Sequence, residues 1–378
     1  MSKLQHILGL MALAAALACE GSTKAASTGG GTSSGGGAPV RLDAGASHTF
    51  TSISLAASGG EAELLLAQTE PIGYQVLLQH LSPSGAGVGS LVLVAMTDPN
   101  SPPHVAVDSN GPEVACCWED FGLNPNTFSL ETRGALVLCN SVPLGGTMPD
   151  DAMDGGFIDL GYLPAVANNG QGTIVAYSQV GNRGVLQEIL YEPWGTGVEY
   201  PAPFLVLDWQ VALAAGGFQV VMYDGESLSF GHEALNLRSD GGLQSVPSSA
   251  TSSGTFALAP SPPLTAVLLH QGSSVGATVI GGSSSALTGI SAPSEQPLDP
   301  LAAATCDPNT FGFAYALDGG DVMFRAMTTA GAAVGGSSTL VANLGPDVIG
   351  LGMAAVDGGV LIAAGTPTAI SVYSVPCP

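Results

Sequence analysis

The stretch NTFGFAYALDGGDVMFRAMTTAGAAVGGSSTLVAN, residues 309–343, has the pattern of three short strands joined by tight turns. Strands are predicted from Phe311 to Ala316, from Val322 to Thr328 and from Ser338 to Ala342, because short apolar or alternating runs are typical of sheets. Residues 318–320, Asp-Gly-Gly, supply the positive φ that a hairpin turn requires. The preceding DPLAAATCD, residues 299–307, reads as a strand of small residues, so this part of the chain predicts a unit of four strands.

The same order recurs along the chain. It is clearest in the second strand of each unit, which appears as ELLLAQ (63–68), EVACCW (113–118), TIVAYS (173–178), QVVMYD (219–224), TAVLLH (265–270), FGFAYA (311–316) and GVLIAA (359–364). The steps from 173 to 219, 265 and 311 are each 46 residues, and a longer step includes an acidic insertion near 148–160. Seven units of four strands resemble a seven-bladed β-propeller, in which four-stranded sheets surround a central channel. The regular spacing favours this all-β fold over a pair of β-sandwiches.

The last unit contains only three strands before the chain stops at Pro378. We therefore predict that Val40 to Asp43 supplies its fourth strand by pairing with Ile370 to Val375. Such pairing would tie the two ends of the folded region together and cover an open sheet edge.

Composition limits the classes of partner. Hydrophobic residues make up 46% of the 378 residues and charged residues only 10%, which indicates a chain that folds rather than a disordered one. Seven basic residues against 30 acidic ones give a net charge of −23. Nucleic acids and anionic membrane surfaces are recognised through basic patches, so neither is an expected partner.

The N-terminus has the layout of a secretory signal peptide over residues 1–18. Lys3 provides the positive region, Ile7 to Leu17 the apolar region, and Ala16 to Ala18 the small-residue cleavage region. Eleven apolar residues are too few to cross a bilayer, which needs about 20. Residues 20–37 contain 14 Gly, Ser or Thr among 18, so 19–37 is expected to be a disordered linker before a propeller over 38–378.

The sequence Ala16-Leu17-Ala18-Cys19 resembles the lipobox of bacterial lipoproteins. That resemblance implies that Cys19 is lipidated, with palmitate among the acyl chains, and becomes the new N-terminus. It also implies a membrane anchor in the cell envelope, at the outer membrane or cell surface rather than the inner membrane. An ordinary secreted protein is the alternative.

Five further cysteines allow disulfides in an exported protein. Cys139 is interpreted as lying on the fourth strand of the unit whose second strand carries Cys116 and Cys117. An intervening strand would separate them by about twice 4.8 Å, beyond the reach of a disulfide, so pairing with Cys139 is not expected. Cys306 with Cys377 is the pair to test first.

Two motifs could carry chemistry. The insertion PDDAMDGGFID, residues 149–159, brings together Asp150, Asp151, Asp154 and Asp159, carboxylates of the kind that bind calcium. The spacing does not fit an EF-hand, and a solvated acidic loop is the simpler interpretation. Ser274, in GSSVG, matches the nucleophile-elbow pattern but lies at a predicted hairpin turn, where no helix follows.

These patterns predict an exported, lipid-anchored binding or scaffold module for a protein or glycan, acting as a monomer and needing no cofactor. No catalytic residue is indicated. An extracytoplasmic hydrolase or lyase working at the channel is the alternative, and it would need several Asp, Glu, His or Arg residues at one end of the inner strands. A surface adhesin is the second alternative.

Overall fold

A computed structural model describes residues 39–99, 102–109, 113–123, 133–143, 156–168, 173–179, 183–189, 199–205, 208–214, 217–223, 228–234, 244–245, 256–271, 273–281 and 287–378. Across these ranges the regular elements are all β-strands. No helix long and apolar enough to cross a membrane occurs within them.

The first half of the chain contributes twelve strands. They are β1 (Val40–Asp43), β2 (Phe50–Ser58), β3 (Glu61–Glu70), β4 (Gly73–Leu81), β5 (Gly87–Thr97), β6 (Val105–Ser109), β7 (Glu113–Leu123), β8 (Arg133–Pro143), β9 (Gly156–Asn168), β10 (Thr173–Gln179), β11 (Arg183–Ile189) and β12 (Glu199–Leu205).

The second half contributes fifteen. They are β13 (Asp208–Ala214), β14 (Gly217–Tyr223), β15 (Leu228–Ala234), β16 (Gln244–Ser245), β17 (Phe256–Ser261), β18 (Leu264–Gln271), β19 (Ser274–Ile280), β20 (Thr288–Gly289), β21 (Pro297–Asp307), β22 (Thr310–Leu317), β23 (Asp321–Thr328), β24 (Ala333–Asn343), β25 (Gly350–Val356), β26 (Gly359–Gly365) and β27 (Ala369–Val375).

The strands form antiparallel sheets in which chain neighbours are also sheet neighbours. Four sheets have the orders β2-β3-β4-β5, β13-β14-β15-β16, β17-β18-β19-β20 and β21-β22-β23-β24. A fifth has the order β1-β27-β26-β25, and a continuous seven-stranded sheet runs from β6 to β12. The predicted second strands are β3, β7, β10, β14, β18, β22 and β26. Each lies beside the strand that precedes it in the chain, and the two strands start a group of consecutive strands.

The seven-stranded sheet arises because β9 belongs to two groups of strands. Its first part pairs with β8, as in Leu160 opposite Leu136, and its last part pairs with β10, as in Asn168 opposite Thr173. Within the part that pairs with β10, at the bulge between Tyr162 and Ala165, Leu163 adopts a left-handed φ of 55°, and its N–H donates to Glu119 Oε1. Residues 156–160, which the sequence analysis assigned to the insertion, are therefore part of this strand.

The second strands are buried on both faces, which explains their unbroken apolar runs. In β3, Leu64 and Leu66 pack toward β25–β27, whereas Leu65 and Ala67 pack toward β6 and β7. The same alternation places Trp118, Tyr177 and Tyr315 in clusters between neighbouring sheets. Side chains at alternate positions of a strand point to opposite faces, so β3, β7, β18, β22 and β26 each join two hydrophobic clusters.

The predicted pairing of the chain ends is confirmed. Val40 lies opposite Val372 and Asp43 opposite Ala369, so β1 forms the outer edge of the sheet of β25–β27. Leu42 packs against the hydrophobic cluster shared by this sheet and the sheet of β2–β5.

Candidate functional site

Seven strands, each of which begins one group of consecutive strands, contact one another in a ring. These first strands are β2, β6, β9, β13, β17, β21 and β25. Contacts run from β2 to β6, β9, β13, β17, β21 and β25, and from β25 back to β2. Neighbouring first strands run in the same direction. Val105 and Val107 of β6 donate their N–H groups to Ser52 Oγ (3.3 Å) and Ser54 Oγ (3.2 Å) of β2. Gly350 and Gly352 of β25 likewise lie against Ile53 and Leu55 of β2, so β25, β2 and β6 all begin at one end of the ring and finish at the other.

A cavity of about 580 Å³ lies inside this ring. Its wall comes from β2, β6, β9, β17, β21 and β25 and consists largely of small residues. Apolar side chains, among them Ile53, Phe256 and Leu351, line the end where the first strands begin. Polar residues line the end where they finish, namely Asp108, Ser109, Asn168 and Thr305.

Among the described residues that line the cavity, only Asp108 has a charged side chain. Its Oδ1 accepts the N–H of Ser109 (2.9 Å), and its Oδ2 accepts the N–H of Asn168 on β9 (2.7 Å). Burial raises the pKa of Asp108 to about 6, although the two N–H groups act in the opposite direction by stabilising the carboxylate. The carboxylate is thus fixed by two strands and is partly exposed to the cavity.

At the polar end of the cavity, hydroxyl groups form hydrogen bonds between neighbouring first strands. Ser109 Oγ donates to Ser58 Oγ (3.1 Å), and Thr305 Oγ1 donates to the carbonyl of Pro260 on the neighbouring first strand. Because these hydrogen bonds join consecutive first strands, they hold the wall of the cavity in one arrangement.

Another titratable cluster lies away from the cavity, on β3 and β4. His80 Nδ1 is 2.6 Å from Glu63 Oε1, and His80 Nε2 is 2.7 Å from Glu61 Oε2. Burial raises the pKa of Glu63. Burial would lower the pKa of His80, but its hydrogen bonds and ion pairs with Glu63 and Glu61 outweigh that effect and raise it. This cluster therefore acts as an ion-paired clamp between two strands.

The remaining histidines with described side chains each lie close to an acidic side chain, which for His48 is Glu70, with Oε1 3.4 Å from Nδ1. His104 Nδ1 is 2.9 Å from Glu119 Oε2, His270 Nε2 is 2.9 Å from Asp299 Oδ1, and His48 Nδ1 is 2.7 Å from the Thr69 carbonyl. Within the part of the chain that the structure describes, no three His, Cys, Asp or Glu side chains are grouped so as to hold a metal ion.

The acidic insertion lies largely outside the described residues. This applies to Asp150, Asp151 and Asp154, and also to Cys19, the predicted lipidation site. Asp159 lies on β9, opposite Val137 of β8. Ser274 begins β19 in a hairpin with β18, so the turn predicted there is confirmed, and a strand follows it instead of a helix.

The expectation against pairing with Cys139 is wrong. β8, which carries Cys139, is the immediate neighbour of β7, and Cys117 lies directly opposite Cys139. Their Cα atoms are 4.1 Å apart and a disulfide joins them. A second disulfide joins Cys306 to Cys377, with Cα atoms 5.6 Å apart, and Cys116 is a buried free cysteine.

Sequence reasoning did not single out Asp108. Its sequence context, HVAVDSNG (104–111), has only the pattern expected of a first strand. What makes Asp108 distinctive is its position beside Asn168, 60 residues later in the chain, and this proximity depends on the ring.

No family model matches the sequence, and no curated protein is similar to it. Similar solved structures include U3-55K, at 9% identity over 92% of this chain and 100% of that chain, with a TM-score of 0.55. The uncomplexed acylaminoacyl peptidase of Pyrococcus horikoshii has 8% identity and a TM-score of 0.50, with 86% of this chain and 51% of the peptidase covered. The chain thus spans about half the length of that peptidase. The Dos1 propeller has 10% identity over 88% of this chain and 94% of that chain, with a TM-score of 0.46.

At such identities the likeness concerns the fold alone. The chain is an all-β protein of propeller-like architecture.

Proposed function

We propose that residues 38–378 form a closed propeller of seven four-stranded blades. Six blades would be β2–β5, β6 to the first part of β9, the last part of β9 to β12, β13–β16, β17–β20 and β21–β24. β25–β27 with β1 would complete the seventh. The contacts around the ring of first strands and the pairing of β1 with β27 support this arrangement.

This propeller serves as a binding module, with the central cavity as its ligand site. The observation that carries the proposal is the cavity of about 580 Å³, which has an apolar end and a polar end. Small-molecule sites are typically concave, mostly apolar and of this size, with a few fixed polar groups that orient the ligand. Hydrolase or lyase chemistry commonly uses an acid and a base together, and the described wall offers the single carboxylate of Asp108.

A fragment screen by ligand-observed NMR tests this function. Ala57 lines the cavity and is exposed to it, so Ala57→Trp should fill the cavity without disturbing the packed clusters. Small polar fragments should bind the wild type and lose binding in Ala57→Trp. Ala330→Trp, at an exposed turn outside the cavity wall, is the matched control and should bind as the wild type does. Equal binding to all three proteins would contradict a cavity site.

The module is exported and anchored through Cys19. The signal-like residues 1–18 and the Gly/Ser/Thr-rich residues 19–37 support this part of the proposal. Acyl chains each contribute about 0.8 kcal/mol per buried methylene, so several chains would hold the domain firmly at the envelope. Cells labelled with radioactive palmitate should incorporate label into the wild type and not into Cys19→Ala. Equal incorporation would overturn the anchor.

A further inference from the structure

We propose that the central cavity takes a small organic cation with an apolar tail, an alkylammonium or alkylguanidinium, and that Asp108 pairs with its charged head. The proposal rests on the binding function above and names the class of ligand.

The charged side chains on the first strands are all acidic. None of the seven first strands contains a lysine or arginine, whereas Asp108 lies in the cavity wall. The whole chain carries −23, so its field adds to the attraction for a cation. An anionic ligand would find no positive side chain on these strands to pair with.

The carboxylate of Asp108 has a fixed orientation and can accept a further hydrogen bond from a ligand. Its two oxygens are fixed by the N–H groups of Ser109 (2.9 Å) and Asn168 (2.7 Å), one from its own strand and one from β9. Carboxylate oxygens have lone pairs for more than one hydrogen bond each, so a cationic donor can be added without breaking these contacts. Charge-assisted hydrogen bonds of this kind are stronger than neutral ones.

The burial of this carboxylate also favours a cation. Surrounding protein disfavours the ionised form of Asp108 and raises its pKa to about 6. An ammonium or guanidinium group replaces the lost hydration of the carboxylate and stabilises its charge. The pair lies at the edge of a cavity rather than in solvent, so screening by salt is weaker than at the surface.

The apolar end of the cavity, opposite Asp108, determines the length and apolar character of the ligand's tail. Val105, at the start of β6, and Asp108 are three residues apart, which corresponds to roughly 10 Å along a strand. Ile53, Phe256 and Leu351 line the apolar end. A hydrocarbon chain of about six carbons therefore spans from the carboxylate to the apolar wall.

The test uses hexylammonium chloride as the charged probe and hexan-1-ol as the neutral probe of equal length. Both are titrated at constant ionic strength and followed by saturation-transfer NMR. We expect hexylammonium to bind the wild type and to bind Asp108→Asn about tenfold more weakly, since the ion pair is lost. Asp357→Asn is the matched control, because Asp357 is exposed at the same end of the ring and outside the cavity wall. It should leave binding unchanged.

A second measurement uses the wild type alone and does not depend on how the variant folds. The backbone amide resonances of Ser109 and Asn168, whose N–H groups bond to Asp108, should shift on addition of hexylammonium and stay in place with hexan-1-ol. Absence of these shifts, equal affinity of the two probes, or full binding by Asp108→Asn would each overturn the proposal. If one of these three results is obtained while small polar fragments still bind in a way that Ala57→Trp abolishes, the cation inference alone fails. If Ala57→Trp changes no binding, the cavity function itself fails.

Discussion

Asp108 illustrates how much of a residue's role depends on neighbours distant in sequence. Its own segment, VAVDS, is an ordinary short strand, and the residue types that follow it, Asn110 and Gly111, are ones that turns favour. Burial raises its pKa, and the N–H of Asn168, which the ring places beside it, fixes its orientation. Local patterns could therefore predict the strand but not the site.

Replacing Asp108 should change how stability depends on pH. A carboxyl group whose folded-state pKa of about 6 exceeds its ordinary value of 3.8 binds more protons when folded, so the stability of the wild type falls as pH rises from about 4 to 6. The loss is at most about 3 kcal/mol, from 1.36 kcal/mol per pKa unit. In Asp108→Asn this contribution disappears. Urea denaturation of both proteins across this pH range measures the difference, and parallel pH profiles would contradict the assignment.

Ser54 supports the ring by a single hydroxyl group. Its Oγ accepts the N–H of Val107, 3.2 Å away on the neighbouring first strand. Ser54→Ala should lower the free energy of unfolding by about 1 kcal/mol, because that N–H loses its protein partner. Ser90→Ala, at an exposed position of β5, is the control and should have little effect. Equal denaturation midpoints for the two variants would show that this seam does not depend on the hydroxyl.

At the scale of elements, the second strands were predictable because burial on both faces gives them continuous apolar runs. ELLLAQ and FGFAYA correspond to parts of β3 and β22, and each contributes to two clusters. β8 was misplaced because sequence spacing does not reveal which strand follows β7 in the sheet. Once β8 lies beside β7, Cys117 and Cys139 face each other and the disulfide follows.

The strand β1 should contribute strongly to stability. It pairs with β27 over four residues, Leu42 packs against the cluster between two sheets, and the Ala44 N–H donates to the Thr368 carbonyl (3.1 Å). Each hydrogen bond contributes about 0.5–1.5 kcal/mol, so the total is on the order of 3 kcal/mol. A chain beginning at residue 46 should therefore melt roughly 4 °C below one beginning at residue 38.

The matched comparison for β1 is a chain beginning at residue 20 against one beginning at residue 38. The extra residues are mostly Gly, Ser and Thr, which cannot build a core, so these two proteins should melt together. If the chain beginning at residue 46 also melts with them, β1 is not the strand that completes the sheet.

At the scale of the whole molecule, the 46-residue repeat indicated a closed architecture, because successive units follow the same order of strands and the strand over 40–43 completes the last one. What the repeat could not reveal is how closely neighbouring units approach. Gly352 on β25 shows this at the seam with β2, where a Cβ atom would lie 2.7 Å from Leu55 Cβ and 3.1 Å from its backbone nitrogen.

Gly352→Ala should therefore push the first and last groups of strands apart. Overpacking of this kind costs about 1–3 kcal/mol, since backbone lies close to the added atom. Gly336→Ala is the control, because a Cβ there meets nothing within 4 Å. Chemical denaturation should show a loss for Gly352→Ala alone. If both variants are as stable as the wild type, the seam between β2 and β25 is not closed.

The central claim is that seven groups of strands surround one cavity, and a crystal structure of residues 38–378 tests it most directly. We expect seven groups of strands around a single axis, two of them joined through β9, with β25 beside β2, β1 on the edge of β27 and Asp108 at the polar end of the cavity. Two stacked pairs of sheets, with the first strands dispersed and no shared cavity, would contradict it.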